Sequence, residues 1–273
     1  MHDQLVSVEM RKEIVRRLRL AEVEHSVRIL YACESGSRAW NFASPDSDYD
    51  VRFIYVRDRD SYLSFDVERH RDVIEYPIVD EIDCSGWDIR KALYLFTRTN
   101  GALLEWLSSP IKYIECGSFA EELRTLAPQA FDPRALCYHY SHMARRNARE
   151  YLFQDQVRLK KYFYVLRPLL AIQFIEEERG IPPVPFESLV NAVAPSTIRP
   201  HIASLLELKR RTVELGLGEP VPQINAFIEG ELKRHGERFS GVGRPDLIDS
   251  VSITTELNQI FRRAVLGVGP RDT

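Results

Sequence analysis

The sequence predicts an α+β protein, a small mixed sheet with helices packed against it, followed by a helical region. Three observations predict it. Strand-sized, apolar, β-branched runs stand at Ser26 to Cys33 (SVRILYAC), Asp50 to Val56 (DVRFIYV) and Val73 to Cys84 (VIEYPIVDEIDC). Apolar residues at helical spacing precede and follow those runs. After Pro110 the strand signals thin out, and helices separated by proline-rich breaks take over.

Each element has its reason. Glu9 to Val27 carries Ile14, Leu18 and Ala21 on one stripe with basic residues elsewhere, the pattern of a surface helix. The first two strand runs enclose the segment ESGSRAWNFASPDSDYD. The third contains Pro77, which has no N–H for a ladder, so an edge strand or a bulge is expected there. Ser85 is the expected N-cap of the helix WDIRKALYLFTR, in which Ile89, Leu93 and Phe96 share a face. Beyond, breaks at Pro128, Pro133, Pro182-Pro183-Val184-Pro185, Pro195 and Pro200 separate further helices. The clearest are Leu136 to Glu150 and Arg158 to Glu178, the second with Pro168 expected to kink it. This organisation predicts one domain over residues 1–117 and a helical domain over residues 118–273, with a loose tail after Gly267.

Composition removes several function classes. With 44% hydrophobic and 28% charged residues in 273, the chain can bury a sizeable core and reads as globular. A net charge of -3 argues against a protein that coats nucleic acid by bulk electrostatics, so any polynucleotide contact is expected to be local. The opening MHDQLVSVEMRKEIVRRLRL is charged throughout, and the apolar stretch Leu166 to Ile175 is interrupted by Arg167 and Gln173, so neither a secretion signal nor a membrane span is expected. Cys33, Cys84, Cys116 and Cys137 form no CxxC pair, which suits a reducing, cytoplasmic setting.

The chemistry concentrates in the segment between the first two strands. Asp48 and Asp50 stand two apart where a strand begins, and period-two alternation sends both carboxylates to one face, where they can share a cation. Mg²⁺ prefers such oxygen ligands and takes substrate phosphates as the remainder. Gly36-Ser37 offers the phosphate side: a residue without Cβ lets backbone approach closely, and a helix starting at Ser37 would aim free N–H groups at an anion. Asp83, between Ile82 and Cys84 on the third strand, is the best-placed further carboxylate and could accept a hydroxyl proton. Glu81 shares its face in an unbroken strand and is its rival.

Gly-Ser, a short spacer, DxD and a later carboxylate between apolar neighbours resemble the DNA polymerase beta-type nucleotidyltransferase superfamily. ESGSRAWNFASPDSDYDVRFIYV, DCSGWDIRKAL, LLEWLSSPIKY and LKKYFYVLRPLLA together resemble its RlaP or YcgL-like family of predicted nucleotidyltransferases, named for an association with RNA repair. The resemblance implies a catalytic domain followed by a helical domain that closes the nucleotide cleft. It implies that Gly36 and Ser37 bind the triphosphate of a nucleoside triphosphate (NTP) and that Asp48, Asp50 and Asp83 are catalytic and hold Mg²⁺, with Mn²⁺ as substitute. The implied acceptor is an RNA end, otherwise a protein or a small molecule. Asn41 stands where the family pattern has Gly, and asparagine tolerates the left-handed backbone such a turn needs.

Other residues carry two readings each. Arg38 reaches a phosphate or makes a surface ion pair. On a helix Lys160, Tyr164 and Arg167 fall at i, i+4 and i+7 with Lys161 beside them, a nucleotide clamp or a solvated charged face. Trp40, Trp87 and Trp106 are expected in packing, His139 and His142 in structural or surface positions. Arg145, Arg146 and Arg149 line a polynucleotide groove or pair with neighbouring acids. The activity implied is Mg-dependent nucleotidyl transfer to a hydroxyl; the contrasting reading is a non-catalytic module that binds a nucleotide or an RNA end.

Overall fold

A computed structural model of the chain describes residues 5–211, 216–238 and 251–267, so the tail beyond Gly267 lies outside the described residues. The chain runs through α1 (Val8–His25), β1 (Arg28–Glu34), the one-turn α2 (Gly36–Ala39), β2 (Tyr49–Val56), the one-turn α3 (Arg59–Tyr62), β3 (Val73–Glu75), β4 (Ile82–Asp88), α4 (Ile89–Thr97), α5 (Gly101–Leu107), β5 (Lys112–Glu115) and α6 (Phe119–Leu126). There follow α7 (Pro133–Tyr151), β6 (Val157–Arg158), α8 (Lys160–Glu176), α9 (Phe186–Val193), α10 (Arg199–Arg211), β7 (Leu217–Gly218), α11 (Pro222–Arg238) and α12 (Val251–Leu266).

The predicted α+β class is the observed one. Five strands form a mixed sheet in the order β3-β4-β2-β1-β5. β2 pairs in parallel with β4, while β1 with β2, β1 with β5 and β3 with β4 are antiparallel. Val51, Phe53 and Tyr55 of β2 meet Ile14 and Leu18 of α1, Ile29 and Ala32 of β1 and Ile82 and Cys84 of β4 in one buried core. Because side chains alternate along a strand, Asp50 and Arg52 are left to the other face. The α1 stripe read from the sequence, Ile14, Leu18 and Ala21, is the stripe that α1 buries.

Two local expectations are corrected. The run Val73 to Cys84 is not one strand: β3 stops at Glu75, and a turn containing Asp80 and Glu81, both with positive φ (52° and 63°), leads into β4. Pro77, unable to donate to a ladder, lies in this connection. Ser85 is a strand residue, and α4 is capped instead by Asp88, whose carboxylate accepts the Arg90 N–H at 2.8 Å.

Contacts divide the chain into one unit of Met1–Ala39, Asp48–Ala130 and Leu247–Thr273 and another of Trp40–Ser47 and Phe131–Asp246. This boundary runs elsewhere than residue 117/118. α12 belongs with the sheet because Phe261 packs on Tyr62 at 5.2 Å, Arg28 Nη2 donates to the Ala264 carbonyl at 2.6 Å, and Arg263 pairs with Glu122. In the second unit α7, α8 and α9 form the helical core, and Phe42 of the 40–47 segment stacks on Phe163 at 5.0 Å. Among the described residues no helix is long and apolar enough to cross a membrane.

Candidate active site

The corner between β1 and α2 is built around a glycine. Gly36 has φ +58°, and a Cβ added there would lie 2.0 Å from Asp50 Oδ2 and 2.8 Å from its Cγ, so only glycine lets this corner pass against the carboxylate. Ser35 ties the corner to β2 by donating its N–H to the Asp50 carbonyl at 2.8 Å. Ser37 and Arg38, in α2, are buried. Asn41 adopts φ +63°, the left-handed conformation expected of it.

The parallel register of β2 and β4 sets Asp50 directly beside Asp83. One cationic group lies between them: Arg52 Nη2 is 3.0 Å from Asp50 Oδ1 and 2.7 Å from Asp83 Oδ2, and Nη1 donates to the Asp83 carbonyl at 2.8 Å. Burial pushes the Asp50 carboxyl above its ordinary pKa; Arg52 opposes the rise, and the charges of Asp83 and Asp48 add to it. A carboxylate in that setting is stabilised by a cation. Asp48 is exposed, one residue ahead of β2, and its carbonyl accepts from Arg38 Nε at 3.2 Å. Glu81 is exposed in the turn before β4 rather than one strand step from Asp83.

Beneath this pair lies a residue that sequence reading missed. Glu34 is fully buried at the end of β1, accepts the Asp50 N–H at 2.9 Å on Oε1 and the Tyr113 hydroxyl on Oε2. Desolvation raises its pKa to about 7 against the lowering effect of those two donors. Glu34 thus anchors the backbone that carries the Asp50 side chain. Its only sequence signal is an acid inside an apolar strand run. Arg52 was legible in principle, two residues beyond Asp50 and therefore on its face.

The donor set suits a divalent ion in its chemistry: two carboxylates on adjacent strands already share one cationic group, and hard cations take such oxygens together with phosphate. Among the described residues no three of His, Cys, Asp and Glu converge as a complete protein cage, so Asp50 and Asp83 would hold the ion with oxygens from substrate or water.

Arg38 points away from solvent: its guanidinium stacks on Tyr49 at 3.8 Å and donates to the carbonyls of Asp48 and, at 3.0 Å, Leu5. In the second unit the four residues of the expected clamp do not share one free face. Arg167 is buried, 4.6 Å over the Trp40 ring, with Nη2 3.4 Å from the Val184 carbonyl. Lys161 lies 4.0 Å from the Tyr151 ring and 5.1 Å from that of Tyr164, which in turn packs edge-on against Trp40 at 5.6 Å. Lys160 opens α8 in a half-buried position. Trp87 and Trp106 stack on each other at 3.8 Å, and the His142 ring lies 4.3 Å from Tyr138.

Comparison with known proteins agrees with the motifs. The family model RlaP, described as the RNA repair pathway DNA polymerase beta family, matches residues 10–263. "Uncharacterized protein YcgL" of Bacillus subtilis (strain 168) is 48% identical over 257 residues, which are 94% of this chain and 96% of that protein. Among solved structures, a nucleotidyltransferase-like protein from Exiguobacterium sibiricum 255-15 aligns with 93% of this chain and 90% of its own at 14% identity, with a TM-score of 0.33, a likeness too loose to bear on the site. By the extent of the family match and the identity to its Bacillus relative, the chain belongs to the RlaP family, the RNA repair pathway DNA polymerase beta family.

Proposed function

We propose that this protein is a Mg²⁺-dependent nucleotidyltransferase that moves a nucleoside monophosphate from an NTP to an acceptor hydroxyl and releases pyrophosphate. The observation that carries the reading is the in-register pair Asp50 and Asp83, sharing one cationic group beside the Gly36 corner. Mg²⁺, or Mn²⁺ in its place, would supply a Lewis acid at the α-phosphate and lower the pKa of the attacking hydroxyl.

The chain's own residues account for the rest. Asp83 accepts the proton of the acceptor hydroxyl as its oxygen bonds to the α-phosphorus, and the bond from that phosphorus to the pyrophosphate oxygen breaks. Asp50 is held in place from behind by Glu34, and Asp48 supplies a further negative charge that acts on Asp50. Gly36 and Ser37 receive the phosphates, the role the family motif assigns to them. Arg52 offsets one of the two negative charges of Asp50 and Asp83 and yields its place to a divalent ion. The acceptor assigned first is an RNA end, which the family description supports, in a cytoplasmic setting; a protein or a small molecule is the other acceptor class.

A non-catalytic nucleotide or RNA-end binder has one observation on its side, the ion pairs of Arg52 with both Asp50 and Asp83. Incubating the protein with each α-labelled triphosphate, Mg²⁺ and an RNA pool separates the two. Label in the RNA, lost in Asp50→Asn, is the expected result; triphosphate binding without transfer to RNA, protein or small molecules would leave the binder.

A further inference from the structure

Within the second unit, α7 buries Leu136, Cys137, Tyr140, Ser141, Ala144 and Ala148 and turns its other side outward. At 3.6 residues per turn, Tyr138, His142, Arg145, Arg146 and Arg149 fall on one outer stripe about 16 Å long. His142, Arg146 and Arg149 are exposed and Arg145 is half-buried. Two residues beyond the helix, Phe153 leaves 52% of its surface to water.

Surface arginines ordinarily pair with acids, as on α1, where Arg16 and Arg17 pair with Glu13 and Arg19 with Glu22. On α7 they do not: among the described residues the side chains of Arg145, Arg146 and Arg149 make neither an ion pair nor a hydrogen bond, and the same holds for Arg158 in β6. Glu150 is the first cause of a raised pKa at the Tyr151 hydroxyl, and the charges of Arg158 and Arg146 oppose it, so both arginines act on one ring and Arg158 extends the stripe. Gly236 of α11 makes room for Arg145, because a Cβ there would lie 3.0 Å from its Nη2. Arg145 and Arg149, four apart, repel each other until an anion arrives.

The form of the stripe selects the anion. Guanidinium forks match phosphate oxygens, and cations set in a line match a row of phosphates rather than one. Aromatic rings flank them at both ends, with His142 leaning on Tyr138 at 4.3 Å and Phe153 beyond Arg149. Such rings stack on the bases of a single strand, whereas a duplex encloses its bases. With a net charge of -3 on the whole chain, this basic surface is local.

We propose that the outer stripe of α7, with Arg158, binds a single-stranded polynucleotide, the four arginines taking phosphates and His142 and Phe153 taking bases. That the strand is the acceptor RNA rests on the nucleotidyl-transfer reading; the surface itself does not.

The test is fluorescence anisotropy of a labelled oligouridylate with the full chain in EDTA, repeated over a range of salt concentrations. Arg146→Gln and Arg149→Gln, at exposed positions, should each weaken binding about threefold or more and lower the slope of log affinity against log salt by about 0.7, the share of one phosphate contact. Arg149→Lys should keep the slope because the charge stays, and Phe153→Ala should weaken binding with the slope unchanged. Arg16→Gln, on the paired surface of α1, and Asp50→Asn should bind as the parent does. No binding by the parent, a slope untouched in both glutamine variants, or an equal loss in Arg16→Gln would overturn the surface. Competition by polyglutamate or by duplex RNA as strong as that of the single strand would overturn it too, assigning the arginines to an acidic protein or to a duplex. RNA binding with these slopes, together with no transfer in any assay, would sink the transferase and leave the surface standing; transfer to a small molecule without RNA binding would sink the surface alone.

Discussion

Replacing Lys209 by Met should make the protein more stable at neutral pH. The substitution keeps an unbranched side chain of similar length and removes the charge of a buried residue. The pKa falls from 10.5 to about 8. At about 1.4 kcal/mol per unit this amounts to roughly 3 kcal/mol against the charged form in the folded state. The contacts with Phe42 and Phe163 return about 1 kcal/mol, and water reaching Nζ screens part of the remainder, leaving a net gain of about 1 kcal/mol for Met at pH 7. Lys160, which disfavours the charge, and Asp46, which favours it, are the charged groups that act on it. The sign with pH follows from proton binding. Below about pH 8 both folded and unfolded chains hold the proton and the whole penalty is present. Between about 8 and 10.5 the folded protein loses its proton first, so the stability of the parent climbs with pH relative to the variant. Urea unfolding of both proteins at pH 7 and pH 10.5, followed by tryptophan fluorescence, reads the difference directly. A Met variant less stable than the parent at pH 7, or one whose advantage is the same at both pH values, would refute this account of Lys209.

Further outcomes follow for the sheet unit. Gly36→Ala forces a methyl to within 2.0 Å of Asp50 Oδ2 at φ +58°, so it should destabilise by about 1–3 kcal/mol and reduce transfer more than the stability loss explains; parental turnover in a folded variant would exclude the Gly36 corner from the site. Arg52→Met leaves Asp50 and Asp83 without their shared cation: the metal-free protein should melt lower, Mn²⁺ should restore it, and the Mn²⁺ affinity read by electron paramagnetic resonance should rise about tenfold. An affinity equal to that of the parent would show that Arg52 does not compete for the ion. Asp83→Asn should lower turnover by about a hundredfold or more with triphosphate binding retained, whereas Glu81→Gln, altering an exposed turn residue, should be mild; the opposite ranking would move the third carboxylate.

Much of the frame was written in short stretches of sequence because the forces involved are local. The α1 stripe, the runs that became β1 and β2, the left-handed Asn41 and the GS…DYD spacing depend on periodicity, backbone preference and strand alternation over a few residues, and these can be read without knowing what packs against them. Reading failed where a distant partner or a turn decided. Val73 to Cys84 carries strand-forming residues almost throughout, yet the turn at Asp80 and Glu81 breaks it, and that turn rather than alternation sets Glu81 apart from Asp83. Asp88 took the capping role from Ser85 because β4 continues four residues beyond Cys84, where the run read from the sequence ends. Only the tertiary structure could set Arg52 across two strands onto Asp83, place Glu34 behind Asp50, bury Arg167 under Trp40, and set Lys209 over the rings of Phe42 and Phe163. The physical reason is common to all four: a charge takes its meaning from desolvation and from what faces it, and both are set by contacts between segments that one-dimensional spacing does not encode.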